Sequence, residues 1–199
     1  MNWLAVIWYP LSIEADQVNS TPVEELVSQL NSALSITHGA FSPDVLLIIS
    51  RLCQAFAESS PEGRARASGL DRAAHDALLG YASYAARESV RKNSPGLAVE
   101  GLTALLVEDG YMDIRDTLKH LAMLLHSARL LNMDADKVFT EAASLSRNTA
   151  LADRVRTFPK LPWSGDLLSF FVCARGSGPE FRYEPYDPPL RKWWQFWRS

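Results

Sequence analysis

Between residues 21 and 157, apolar side chains recur every three or four positions, which is the period of an amphipathic helix. Several of these runs open with a residue that commonly caps a helix, often followed by a proline or an acid in the first turn. The predicted starts are Thr21, Ser42, Ser94, Asp113, Asp134 and either Asn148 or Thr149. With one further stripe near residue 73, the pattern predicts about seven helices joined by short turns.

This pattern indicates a mainly α protein built as an antiparallel array, and successive helix pairs of similar size also permit a HEAT-like solenoid. Gly39 and Gly110 are the expected stops of the first and fourth helices. The segment "SSPEGRARASG" breaks the period, and the overlapping "GRARASGLDR", which clusters arginines, is predicted to be a solvated loop. The stripes expected to face the core are Val45, Leu46, Ile48, Ile49, Leu52, Cys53 and Phe56 in the second helix, Ala73, Ala74, Ala77, Leu78, Tyr81, Tyr84 and Ala85 in the third, and Ile114, Leu118, Leu121, Leu125 and Ala128 in the fifth.

After residue 160 the texture changes from helical to aromatic and strand-like. The runs "SFFVCAR" and "EFRYEPY" are separated by "GSGP", which predicts a small β-hairpin near residues 168–184. A short helix over residues 166–171 competes with the first strand. Because an isolated hairpin is only marginally stable, the strand-like "WLAVIWY" near residue 3 is a further strand that this hairpin could take up. We therefore assign residues 1–187 to a single, mainly helical domain.

Residues 188–199, called the tail below, form a cationic aromatic segment introduced by "DPP". Asp187 is suited to cap a helix whose first position is Pro188. The spacing then predicts one apolar face, with cations and Gln195 opposite. The residues expected to contact a partner are Leu190, Trp193, Trp194, Phe196, Trp197, Arg191 and Arg198. A helix this short is marginal alone, so its structure depends on what it packs against.

Charge and cysteine content narrow the class of protein. The net charge is −3, and the tail carries three cations and no acid, which leaves 17 Lys+Arg against 23 Asp+Glu before it. An acidic body argues against nucleic-acid binding, which needs a basic face. Two distant cysteines without CxxC spacing predict no disulfide framework and favour the cytoplasm. The apolar start "MNWLAVIWYPLSI" is too short to span a bilayer and lacks the signals of a leader, so we expect it to belong to the fold.

One group of residues has the spacing of a metal site. Asp113, Asp116 and His120 fall on one helical face, where carboxylates and an imidazole could act as ligands. The same acids are also typical of a first helical turn, where they offset the helix dipole. No second cluster supplies further ligands, and no P-loop, GxGxxG or GxSxG motif occurs. We therefore expect no cofactor, no metal and no enzymatic activity.

The segment "SPGLAVEGLTALLVEDGYMDIRDTLKHLAMLLHSARLLNMDADKVFTEAASL", followed by "GPEFRYEP", resembles uncharacterised bacterial all-helical proteins. The resemblance spans residues 94 to about 186, and some members look like immunity or accessory components of toxin systems. Such proteins bind a cognate toxin and block it without catalysis. The resemblance thus implies a protein-binding role.

Three surfaces are open to the tail: the chain's own helical body, another protein or a second copy of the chain, and a membrane surface. Tryptophan and arginine are frequent interface anchors, and tryptophan with cations also suits an anionic bilayer, although one short helix binds a bilayer weakly. The sequence favours protein–protein binding, with a peripheral membrane adaptor as the alternative. A metal-dependent enzyme using Asp113, Asp116 and His120 is the third hypothesis.

Overall fold

The structure is a computed structural model that describes residues 22–160. These residues form α-helices and 3₁₀ turns joined by short connections. The helices within residues 22–160 are α1 (Val23–Ile36), α2 (Pro43–Glu58), α3 (Pro61–Ala65), α4 (Arg72–Arg91), α5 (Pro95–Glu108), α6 (Ile114–Leu130), α7 (Ala135–Ala143) and α8 (Thr149–Thr157), with 3₁₀ turns at Arg66–Gly69 and Phe158–Lys160. The prediction of a mainly helical protein is therefore confirmed, and seven of these helices are the predicted ones.

Four of the predicted helix starts, at Ser42, Asp113, Asp134 and Asn148, have the side-chain cap that the sequence suggested, whereas Ser94 precedes α5 without a side-chain cap bond. The Ser42 hydroxyl accepts a hydrogen bond from the backbone N–H of Val45 at 3.2 Å. Asp134 and Asn148 cap α7 and α8 in the same way. At the end of α5 the backbone turns left-handed, with φ 65° at Asp109 and 69° at Gly110. Each cap satisfies an amide or carbonyl that has no partner within its helix, which fixes where the helix begins or ends.

The segment "GRARASGLDR" is not the solvated loop that we predicted, because its first seven residues complete the short helix α3 and form a 3₁₀ turn. Ser60 accepts a hydrogen bond from the N–H of Gly63 at 3.2 Å and thereby caps the one-and-a-half turns of α3. A 3₁₀ turn follows, and it buries Ala67 completely. The glycines and arginines of this segment indicated a loop, and this led to the wrong prediction. Ser60 and Pro61 form a helix start of the same kind as Ser42 and Pro43.

Helix α5 lies at the centre of the described bundle. Every residue from 98 to 108 is buried, and α5 packs against α2, α4, α6 and α7. Its contact with α4 is the most extensive between any two described helices. A HEAT-like solenoid stacks each helix pair only on its neighbours. Here α5 contacts α2 from the preceding helix pair and α7 from the following one, so its contacts are those between neighbouring pairs.

Small residues let α4 and α5 approach closely. A Cβ atom added at Gly101 would lie 2.8 Å from the Ala85 Cβ and 2.9 Å from a Leu124 methyl carbon. Only a residue without a Cβ fits between the two helices there. Helices α4 and α6 also come close to one another. The Ser127 hydroxyl of α6 donates a hydrogen bond to the Ala86 carbonyl of α4 at 2.7 Å.

Two residues of the predicted stripes face solvent instead of the core. Ala73 is exposed in the first turn of α4, and Ile114 is 48% exposed in the first turn of α6. Both lie at helix starts, where the neighbouring helix does not yet cover the predicted face. The other stripe residues are buried or half-buried.

Several predictions lie outside the described residues. They are the β-hairpin near residues 168–184, the competing helix at residues 166–171, the strand in "WLAVIWY", and the helix of the tail. The predicted cap at Thr21 lies outside as well. Within residues 22–160, no helix combines the length and the apolar content needed to cross a bilayer.

Candidate functional site

The structure places the three candidate metal ligands at the N-cap and in the first two turns of α6 without joining them as a ligand set. Asp113 is the N-cap of α6, and its carboxylate accepts the backbone N–H of Arg115 at 2.7 Å. The Nδ1 atom of buried His120 lies 2.5 Å from the backbone carbonyl oxygen of Asp116, not from its carboxylate. Burial lowers the pKa of His120. Among residues 22–160, no three His, Cys, Asp or Glu side chains are arranged to hold a metal ion.

The tail residues predicted to contact a partner, from Leu190 to Arg198, lie outside the described residues. The part of the chain that is described contains two polar clusters that the sequence reasoning missed. One lies at the turn between α5 and α6, and the other lies between α2, α4 and α5.

The turn between α5 and α6, residues 108–116, is called the α5–α6 corner below. Its anchor is Glu108, which ends α5 and has a completely buried side chain. The two oxygens of its carboxylate accept the backbone N–H groups of Gly110 and Met112, each at 2.8 Å. Burial raises the pKa of Glu108, and these two amides and His75 limit the rise. Glu108 therefore holds the turn that connects the central helix to α6.

His75 links this corner to α4. Its Nδ1 atom lies 3.4 Å from Oε1 of Glu108, a distance suited to an ion pair when the imidazole is protonated. The imidazole stacks on the ring of Tyr111, with centroids 4.2 Å apart and an angle of 21° between the planes. Tyr111 itself is 68% exposed, whereas His75 is buried. An exposed aromatic ring thus covers a buried carboxylate–imidazole pair.

Arg147 brings the turn before α8 to the same corner. Its Nη2 atom donates a hydrogen bond to the Val107 carbonyl at 2.9 Å and lies 3.7 Å from the Asp109 carboxylate. The guanidinium also lies over the Phe56 ring, 5.8 Å from its centroid. Burial raises the pKa of Asp109, while the charges of Arg147 and His75 lower it. The corner therefore joins α4, α5, α6 and the α7–α8 turn.

Buried polar atoms that lack hydrogen-bond partners lie in the corner and on residues near it. Among residues 22–160, the buried side-chain atoms without one are His75 Nδ1, Asp109 Oδ1, Thr117 Oγ1 and Arg147 Nε. His75, Asp109 and Arg147 belong to the contacts described above, and Thr117 lies in the first turns of α6. An unpaired buried polar atom costs about 1 to 3 kcal/mol, so native proteins keep few of them. Their concentration at one end of the bundle marks this surface as the candidate site.

The second cluster lies deeper, between α2, α4 and α5. The Tyr81 hydroxyl donates a hydrogen bond to the Glu100 carboxylate, and both side chains are buried. Burial raises the pKa of Glu100, although hydrogen bonds from Tyr81 and Ser50 oppose the rise. Cys53 is completely buried nearby, and burial together with the Glu100 charge raises the pKa of its thiol. A thiol with a raised pKa is a poor nucleophile, so this cluster has the character of a satisfied interior network.

A signal for both clusters was present in the sequence. Glu100 and Glu108 stand in "GLAVEGLTALLVEDG", where the apolar residues leave no polar face for them. An acid in a helix that is apolar all round must be buried and must find a partner. The partners, Tyr81 and His75, come from another helix, and their spacing in the sequence gives no indication of the pairing.

Comparison with protein-family models, curated proteins and solved structures gave no match to this chain.

Proposed function

We propose that this chain acts by non-enzymatic protein–protein binding and that its tail supplies the main contact. The predicted apolar face of Leu190, Trp193, Trp194 and Trp197 would bind a groove on the partner, and the flanking cations would meet acidic groups at its rim. Its most concrete form is a bacterial immunity or accessory protein that holds a cognate toxin or effector, as the resemblance implies.

The observation that supports this proposal is the continuity of the core formed by residues 22–160. One cluster of buried apolar side chains runs from Val23 to Phe158. Within it, the neighbouring helices cover α5. The central helix therefore has described partners in α2, α4, α6 and α7. The predicted apolar face of the tail would add a patch of a size that favours association.

The residue types of the tail suit an interface more than a further layer of core. Tryptophan and arginine are the residues most enriched among interface positions that dominate binding energy. A segment of twelve residues with four large aromatic or aliphatic side chains on one predicted face and three cations resembles a helix that binds in a groove.

The proposal is tested by affinity capture with the full chain and two tail variants. Trp193→Ser with Trp197→Ser removes half of the predicted face, whereas Gln195→Ser changes the opposite side and serves as the matched control. We expect the wild type and the control to enrich the same protein and the double variant to lose it, with unchanged helical circular dichroism and melting. A candidate toxin, once enriched, is co-expressed to test for neutralisation.

Three results would contradict the proposal. Equal enrichment by all three proteins would show that the tail is not the contact. Cooperative unfolding of the double variant would show that the tail is part of the core. Flotation with anionic vesicles by the wild type, lost in the double variant and without any captured protein, would favour the membrane adaptor.

A further inference from the structure

The α5–α6 corner exposes apolar surface beside unpartnered polar atoms. Tyr111 is 68% exposed and Ile114 is 48% exposed, within three positions of one another. The buried imidazole of His75 stacks on Tyr111, and the buried Asp109 Oδ1 and Arg147 Nε atoms of the same cluster lack a hydrogen-bond partner among residues 22–160. A surface that offers both an apolar contact and unpaired hydrogen-bonding groups is suited to receive a segment that supplies both.

We propose that the α5–α6 corner is the docking site for the tail of the same chain. The docking holds the tail against the helical body when no partner is bound. This inference concerns the segment used in the proposed function, but it does not require that a partner exists.

The residue types on the two sides match. The tail's three tryptophans offer apolar rings to Tyr111 and Ile114, and each indole N–H is a hydrogen-bond donor. The Oδ1 atom of Asp109 is a buried acceptor without a partner among residues 22–160. The Nε atom of Arg147 is likewise a buried donor without a partner among these residues, and a docked segment would bond to either atom only after the side chains that cover them shift.

The charges are also complementary. Outside the completely buried Glu108, the corner contains three acids, at positions 109, 113 and 116, against the single cation Arg115. Arg147 reaches the corner from outside it and is paired with Asp109. The tail carries Arg191, Lys192 and Arg198 and no acid. A cationic segment is therefore attracted to this end of the bundle.

The connecting chain is long enough to allow this contact. Twenty-seven residues, 161–187, separate the last described residue from the tail. Fully extended, they span about 90 Å. A compact domain of the described length has a radius of gyration of only about 14 Å. The α5–α6 corner is within reach of the tail when this connection is extended.

The other exposed apolar corner is less suited to the tail. Between α1 and α2, Ile36, Phe41 and Leu47 are exposed by 80%, 45% and 42%. Residues 36–47 contain one acid, Asp44, and none of the unpartnered buried atoms. This corner therefore offers apolar contact without the charge or the hydrogen-bonding groups, and it provides a control position.

The test is photocrosslinking in the purified full chain, with no partner present. Tyr111→p-benzoylphenylalanine places the probe on the α5–α6 corner, and Ile36→p-benzoylphenylalanine places it on the control corner. After irradiation, the monomer is isolated and digested, and peptides joined to the tail are measured by mass spectrometry. We expect about tenfold more tail peptide from position 111 than from position 36, equivalent to about 1.4 kcal/mol of preference.

The charge contribution is tested in the same protein. Arg191→Glu with Arg198→Glu should reduce crosslinking from position 111 several-fold, whereas Arg191→Lys with Arg198→Lys should preserve it. Equal yields from positions 111 and 36 would overturn the proposal. A yield that ignores charge reversal, or crosslinks found only between two copies, would overturn it as well. None of these results depends on capturing a partner, so failure here is distinct from failure of the proposed function.

Discussion

Gly101 of the central helix offers the sharpest test of the packing. Replacement by alanine adds a Cβ atom 2.8 Å from the Ala85 Cβ and 2.9 Å from a Leu124 methyl carbon. The first neighbour is fixed to the backbone of α4, and Leu124 is only 1% exposed. Neither can swing into solvent, so α4 or α6 must move away from α5.

The expected loss follows from two opposing effects. Extra methyl groups in a well-packed core cost about 1 to 3 kcal/mol. Replacing glycine by alanine inside a helix gains about 1 kcal/mol, because alanine restricts the unfolded backbone. With two contacts below 3.0 Å at Gly101, we place the cost in the upper part of that range, at about 2 to 3 kcal/mol, so the free energy of unfolding of Gly101→Ala should fall by about 1 to 2 kcal/mol. In a chain of this size, that corresponds to a melting temperature lower by about 2 to 8 °C.

Gly80 of α4 provides a matched control. A Cβ there would lie 2.6 Å from the tip of the Phe41 ring, which is as close as the contacts at Gly101. Phe41 is 45% exposed, however, and its ring can rotate away at little cost. The helix gain then offsets the contact, and Gly80→Ala should stay within about 0.5 kcal/mol of the wild type.

Urea unfolding followed by circular dichroism at 222 nm measures both variants. The comparison isolates the neighbour, because the substitution and the helical setting are the same. Wild-type stability of Gly101→Ala would refute the close approach of α4 and α5. An equal loss in Gly80→Ala would refute the argument that the mobility of the neighbour decides the outcome.

Three further predictions concern single side chains. Because burial raises the pKa of Glu100, its contribution to stability is complete below the unfolded pKa of 4.5 and is lost as pH rises through the folded pKa. In urea unfolding measured at several pH values, the free energy of unfolding should therefore decline less above pH 4.5 in Glu100→Gln than in the wild type. An equal decline in both proteins would contradict this reasoning. Ser127→Ala removes the hydrogen bond to the Ala86 carbonyl and should lower the free energy of unfolding by about 0.5 to 1.5 kcal/mol, whereas the exposed control Ser144→Ala should change it far less in the same assay. Asn148→Ala removes the cap of α8 and should cost about 1 kcal/mol by thermal melting, and no change would show that the cap is dispensable.

The sequence predicted the helices well because their boundaries are decided locally. A cap such as Ser42 or Asp134 bonds to an amide three residues further on, so the signal lies within one turn. Burial in the first turn of a helix was less predictable. Ile114 fits an apolar stripe, yet it is exposed because no neighbouring helix covers the first turn of α6. Periodicity assigns a side to each residue, but it does not tell how far along the helix that side is covered.

The candidate site was not predictable in the same way. The pairing of His75 with Glu108 and of Arg147 with Asp109 joins residues more than thirty positions apart. Such pairs depend on how the helices pack, and no local pattern records that packing. A local pattern can also suggest a site that does not form. Asp113, Asp116 and His120 share one helical face, but the Nδ1 atom of His120 lies near a backbone carbonyl and the three side chains do not form one site.

The enclosure of α5 has a consequence for the order in which the chain acquires structure during synthesis. The helix is apolar on every side, and it is complete at residue 108, but its last cover arrives only with α7, which ends 35 residues later at Ala143. At about 5 to 20 residues per second, a ribosome needs roughly 2 to 7 seconds to add them. During that interval α2 and α4 can cover only part of the helix, and the apolar face that α6 and α7 later cover is the kind of surface that chaperones bind. Once folded, the amides of α5 should exchange with deuterium only through global unfolding, because no smaller opening exposes them.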